Sequence, residues 1–148
     1  MKFKSVYFLI FALVLFLIDR FTKFLAIKLL SEQSYNFFLI QFVLVKNLGG
    51  AWGIFSGQTY FFIFVGAIFL ISCIVLWCKI PNLRVSLLFL IAGVSSNLID
   101  RIFGTHQVID FINIHILPVF NLSDVYIDIG ALLLIYYYFT ETKKQDRL

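Results

Sequence analysis

Charge is scarce in this chain. Asp, Glu, Lys and Arg make up 14% of its 148 residues, against roughly 25% in an ordinary soluble domain. With 61% hydrophobic residues and 19 Phe, a water-soluble fold of this length could not hide its apolar surface. Cysteine is sparse too: Cys73 and Cys78 sit five apart in one apolar run. That spacing puts them on different helical faces, which argues against a disulfide, and both read as small buried hydrophobes. The two histidines, His106 and His115, are nine apart without helical ligand spacing, so no metal site is expected. No G-x-S-x-G elbow occurs, nor a phosphate-cradling G-x-x-x-x-G-K or a dinucleotide fingerprint. No cofactor is expected. The net charge of +4 comes without a basic face or stacking platform, which argues against nucleic acid as a partner. Internal repeats and low-complexity tracts are also missing.

What is present is a set of long apolar runs. Four transmembrane helices are expected, at about residues 5–30, 60–78, 85–101 and 124–140, in a single integral membrane domain spanning 1–148. Each is close to the 17–25 residues that cross about 30 Å of hydrocarbon as helix. Lys2 and Lys4 before the first run resemble a secretory n-region, but no small-residue cleavage site follows, so a retained helix is expected. Seven basic residues (Lys2, Lys4, Lys79, Arg84, Lys143, Lys144, Arg147) fall on the side of the termini, and three (Lys28, Lys46, Arg101) on the other. Under the positive-inside rule both termini are cytoplasmic. The excess of positive charge then suits anionic lipid.

Two segments lie on the outer side. Residues 30–58 are too apolar for a simple linker, and Tyr35–Val45 is dense in Phe, Val, Leu and Ile, which suits short strands. Gly49, Gly50 and Gly53 then break the pattern. They permit positive φ and close backbone approach, either in a plain turn or in a cradle over a ligand to which Asn47 presents its amide. Residues 102–123 carry Asp110 between apolar neighbours, and a loop this apolar should lie against the bundle. Apolar surroundings raise a carboxyl pKa.

Asp19, Asp100, Asp110, Asp124 and Asp128 all lie within or beside apolar runs. A charge at bilayer depth costs roughly 2.5–3.5 kcal/mol even on the lenient insertion scale, and such residues are functional hypotheses by default. At about 1.5 Å per residue, Asp19 and Asp100 each lie about 20 Å from the cytoplasmic start of their helices. The fourth helix runs the other way, so Asp124 opens its outer end and Asp128 follows one turn deeper. Carboxylates from three helices therefore converge near the outer face, beneath the segment carrying Asp110. Asp19 and Lys23 form an i,i+4 pair, and Asp100 has Arg101 adjacent, which favours ionised structural roles. Gly93, Asn97 and Arg101 share one helical face and suit helix packing. Ser123 or Asp124 is placed to cap the fourth helix. Asp110 and Asp124 lack an adjacent base. Two close aspartates share a proton, so one can activate water while the other protonates a carbonyl oxygen or leaving amine.

These residues fall in motifs. Asp19-Arg20-Phe21-Thr22-Lys23 resembles D-R-x-x-K, and Asn47-Leu48-Gly49-Gly50-Ala51-Trp52-Gly53 resembles N-x-G-x-A-F/W-[GS]. Gly93-Val94-Ser95-Ser96-Asn97-Leu98-Ile99-Asp100-Arg101 resembles G-A-x-G-N-x-x-D-R. Val108-Ile109-Asp110-Phe111 and Phe120-Asn121-Leu122-Ser123-Asp124 resemble V-x-D-F and F-N-x-A-D. Five such motifs in order resemble lipoprotein signal peptidase, or signal peptidase II, a bacterial intramembrane aspartic peptidase family. The resemblance implies that Asp110 and Asp124 are the catalytic pair. Asn47, Gly49, Asn97, Asp100, Arg101 and Asn121 would support the site or orient substrate, and Asp19 and Lys23 would brace it. It further implies an all-α membrane fold with a small extracytoplasmic β-cradle and a short outer helix. The implied reaction removes the signal peptide from a diacylglyceryl-modified prolipoprotein, just before the lipidated Cys. A monomer in the cytoplasmic (inner) membrane is expected, with its site near the outer face.

Val94, Ser96 and Ser123 depart from the family pattern, where Ala, Gly and Ala are usual, and Asp128 is a carboxylate the motifs do not require. Asp128 either perturbs the pair's titration or satisfies a helix contact. The competing class is a small ion- or proton-coupled transporter with a carboxylate relay. It predicts acids at several depths, whereas the inner half of every span has few.

Overall fold

The computed structural model describes residues 2–50, 54–103 and 106–145, with side chains from 6 to 141 within those ranges. Ala51, Trp52 and Gly53 of the glycine motif lie outside the described residues, as do the side chains of Lys2, Lys4, Lys143, Lys144 and Arg147. In chain order the elements are α1 (Lys2–Leu29), β1 (Tyr35–Phe37), β2 (Ile40–Asn47), α2 (Thr59–Lys79), a 3₁₀ turn (Pro81–Leu83), α3 (Arg84–Ile102), β3 (Val108–Asn113) and α4 (Leu122–Gln145).

The apolar runs set the helices, and local chemistry sets their ends. α2 stops where Ile80 turns extended (φ −126, ψ 89), the conformation that a following proline imposes on its predecessor. Pro81 then opens the 3₁₀ turn, where its missing N–H is tolerated. α3 is the hub, touching α1, α2 and α4. Its buried face runs Leu87, Leu88, Leu90, Ala92, Gly93, Ser96, Asn97 and Asp100. Ala12 and Leu15 of α1, Cys73 and Trp77 of α2 and Tyr126 of α4 join the core around it. The buried stripe turns from aliphatic to polar toward the C-terminal end of α3. There the helix faces the sheet.

Among the described residues, three helical stretches are long and apolar enough to cross a membrane: Thr59–Lys79, Pro81–Ile102 and Leu122–Glu141. α1 has 28 residues, about 42 Å of helix, and its C-terminal half carries Asp19, Arg20 and Lys23. The sheet is antiparallel in the order β1-β2-β3. β1 and β2 form a hairpin through Phe38 (φ 55) and Leu39. A register shift between Phe42 and Val45 bends β2, as an extra residue in one strand does, so that Val45 pairs with Asp110. The expected short outer helix is not among the described elements. The one short helical turn described lies between α2 and α3, at the opposite end of the bundle from the sheet.

Candidate active site

Lys23 is the first organiser of the site. Its side chain is 1% exposed, and its ammonium pairs with Asp19 at 3.0 Å and Asp100 at 2.7 Å while donating to Asn97 Oδ1 at 2.8 Å. The i,i+4 spacing places Asp19 beside it; tertiary packing supplies Asp100. Arg20 also pairs with Asp100. Asp100 therefore takes its cations from α1, not from the adjacent Arg101 as the sequence suggested, because neighbours in a helix point about 100° apart. Arg101 instead donates to the Gly49 carbonyl at 2.9 Å and lies over the Phe62 ring.

Both acids of α1 and α3 reach further. Asp19 accepts from Ser96 Oγ at 2.5 Å and from the backbone N–H of Ser123 at 2.8 Å. It thereby satisfies one of the first-turn N–H groups that a helix leaves unpaired. Asp100 accepts from the backbone N–H of Ile109 at 3.4 Å, which ties down the strand one residue before Asp110. Ser123 is fully buried, and its hydroxyl has no hydrogen-bond partner.

Asn121, the last residue before α4, is the cap. Its Oδ1 accepts from the Asp124 N–H and Asp124 Oδ2 accepts from the Asn121 N–H, both at 3.1 Å. This is the reciprocal arrangement of a capping box, so Asn121, rather than Ser123 or Asp124, caps the helix. The Asn121 amide also donates to Asp110 Oδ1 at 2.6 Å and to Asn97 Oδ1 at 3.3 Å. One residue therefore grips both aspartates. Asn97 donates to Asp124 Oδ1 at 2.8 Å, and Asn47 donates to Asp110 Oδ2 at 3.0 Å. Each of the four carboxylate oxygens is thus addressed by a separate donor. Burial, reinforced by the Asp124 charge, pushes the Asp110 carboxyl up to about 6, although its bonds to Asn47 and Asn121 and the nearby Lys23 oppose the rise.

Gly49 needs room rather than an unusual φ. A Cβ there would sit 2.8 Å from the Ile54 carbonyl, and its N–H donates to Asn47 Oδ1 at 2.8 Å, which fixes the amide that holds Asp110. Among the described glycines the left-handed conformation belongs to Gly57 (φ 84), not to Gly49 or Gly50.

Asp110 and Asp124 open onto one cavity of about 540 Å³, whose wall also includes Asn47, Gly49, Asn97 and Arg101. Pro118 and Phe120 border it beside β3, and Val125, Ile129 and Leu132 line it along α4. Asp128 lies on the same wall, exposed, and among the described residues it has no hydrogen-bond or ion-pair partner. Behind β3 a smaller apolar cavity of about 340 Å³ is lined by α1, Tyr35, Phe42 and Phe111. The structure thus gathers Asn47, Gly49, Asn97, Arg101, Asp110 and Asp124 around the cavity, and it sets Asn121, Asp19, Lys23 and Asp100, all buried, behind it. Sequence reasoning singled out Ser96 only as a departure from the family pattern, and it missed Arg20 as a participant. Arg20 stood inside the first motif, but only the fold shows that it reaches α3. No group of three or more His, Cys, Asp or Glu suited to a metal ion occurs among the described residues.

A family model described as signal peptidase (SPase) II matches residues 11–140. The lipoprotein signal peptidase of Caldicellulosiruptor bescii is 37% identical over 123 residues, covering 80% of this chain and 81% of that protein. That of Clostridium novyi is 34% identical over 149 residues, with 91% and 97% covered. A solved bacterial membrane enzyme, determined by the in meso method, superimposes with a TM-score of 0.84 at 29% identity over 95% of this chain and 90% of its own.

Proposed function

The chain belongs to the signal peptidase II family, and from that premise we propose that Asp110 and Asp124 are its catalytic pair. The protein is a bacterial membrane peptidase that removes signal peptides from lipid-modified prolipoproteins. The observation that carries the catalytic assignment is the Asn121 bridge, which holds both carboxylates at the wall of one cavity.

The chemistry follows from two acids sharing one proton. The ionised carboxylate takes a proton from a water as its oxygen attacks the scissile carbonyl carbon. The protonated partner gives its proton to the carbonyl oxygen, forming a neutral gem-diol. Collapse of the diol returns one hydroxyl proton to the pair, a proton reaches the leaving nitrogen, and the C–N bond breaks. The signal peptide leaves as an acid and the lipidated cysteine keeps a free amine. Asn47, Asn97 and Asn121 hold the acids in place, while Gly49 and Arg101 shape the rim. Lys23 neutralises Asp19 and Asp100 behind them.

We read α1 as a fourth span, its polar outer half buried against α3, so that both termini face the cytoplasm of a bacterial inner membrane. The sheet then forms the outer cradle, and one copy of the chain carries a complete site in a single domain. Asp110→Asn and Asp124→Asn are each expected to abolish prolipoprotein processing in a membrane assay while inserting normally. Normal cleavage by either inserted variant would remove it from the pair. The transporter reading requires acids along a path, whereas these gather at one end of the bundle; proton flux in liposomes without peptide would revive it.

A further inference from the structure

We propose that Asp128 contacts the substrate, accepting main-chain N–H groups from the signal-peptide segment just before the scissile bond. This rests on the assignment of Asp110 and Asp124 and on the orientation given above. Asp124 and Asp128 are i,i+4 on α4, so they share a face, and both line the large cavity. Four residues of helix separate them by about 6 Å along the axis. That equals about two residues of extended peptide at roughly 3.3 Å each. The signal peptide enters from the cytoplasmic side, so the segment preceding the cut lies deeper than the scissile bond. Asp128 lies deeper than Asp124 by the same logic.

Both partners are in need at that depth. An extended peptide in hydrocarbon leaves N–H groups unsatisfied, and a carboxylate without a donor is itself unfavourable there. The other α4 residues on this wall, Val125, Ile127, Ile129 and Leu132, offer only apolar side chains. Asp128 is the acceptor on that stretch. Because every peptide other than proline carries an N–H, the contact selects for an extended main chain rather than for particular side chains. That suits an enzyme that must process many signal peptides.

The test uses the full-length protein in detergent with synthetic lipopeptides. One is all-amide, and the others carry an ester in place of the amide N–H at the second, third or fourth residue before the cut. Asp128→Leu is expected to lower kcat/KM about tenfold on the amide substrate, mainly through KM, as for a lost hydrogen bond to a charged group. One ester should lower the wild-type value similarly and have no further effect on Asp128→Leu. Asp128→Asn, which keeps an acceptor oxygen, should recover part of the loss. Because Asp128 is exposed, leucine there favours insertion, and an unchanged or raised Tm separates lost contact from lost fold. Wild-type kcat/KM in Asp128→Leu, or losses that multiply at every ester position, would overturn the proposal. Cleavage of the amide substrate by Asp110→Asn would instead sink the catalytic assignment, whatever the esters show.

Discussion

Asp110 is held where burial and the charge of Asp124 both oppose its ionisation. Its carboxyl titrates at about 6 in the folded protein, against about 3.9 in an unfolded chain. The folded state therefore binds this proton more tightly, and the stability it contributes is full below about pH 3.9 and lost as pH rises through about 6. At about 1.36 kcal/mol per unit the loss is about 3 kcal/mol. Thermal unfolding in detergent between pH 4 and 7 should show this decline in the wild type and a flatter profile in Asp110→Asn. Asn121 offers a second separation of roles, since its oxygen caps α4 while its amide nitrogen holds Asp110. Asn121→Ala is expected to lower stability by about 1 kcal/mol. Asn121→Ser, which still caps, should restore most of that stability. Both variants should process substrate at least about tenfold more slowly, because neither carries the amide N–H that Asn121 donates to Asp110. A serine variant with wild-type processing would show that the amide bridge is dispensable.

At the scale of elements, the seam between α3 and α4 sets where Asp124 stands. A Cβ on Gly93 would lie 2.5 Å from the Ser123 carbonyl and 2.8 Å from Ile127 Cγ1. A Cβ on Gly130 would lie 2.7 Å from Leu90 Cγ and 2.9 Å from the Ser86 carbonyl. Alanine at either site should cost about 1–3 kcal/mol through overpacking. Gly93→Ala should also cut processing sharply, because the first turn of α4 must move; Gly130→Ala, further along the helix, should cut it much less. Comparing rates at matched folded fraction checks this. Three apolar runs marked α2, α3 and α4 closely in the sequence, because a long run without water-facing residues leaves helix as the economical backbone solution in a membrane. β3 was not legible. Val108–Phe111 is buried on both faces, so no alternation of polar and apolar residues announces a strand. Within the site, the Asp19–Lys23 pair was readable from spacing, whereas the bonds of Lys23 to Asp100, and of Asp19 to the Ser123 N–H, span 77 and 104 residues. Such contacts exist only once helices are packed.

Over the whole molecule, the acids and amides of the site gather at the sheet end of the bundle, and α3 is the piece every other helix leans on. An even number of spans puts both termini on one side, so reporter fusions at the two ends should give the same cytoplasmic signal; opposite signals would refute four spans. The buried ammonium of Lys23 bears on biogenesis. Its counter-charge Asp100 and its acceptor Asn97 lie in a helix made third, and the N–H that completes Asp19 belongs to a helix made fourth. Until those arrive, the C-terminal half of α1 holds charges that hydrocarbon rejects. A chain ending after Lys79 should therefore leave α1 accessible to water-soluble thiol reagents at a cysteine placed at position 26, and a chain extended beyond α4 should protect it. The helix that emerges first from the ribosome is then expected to settle last.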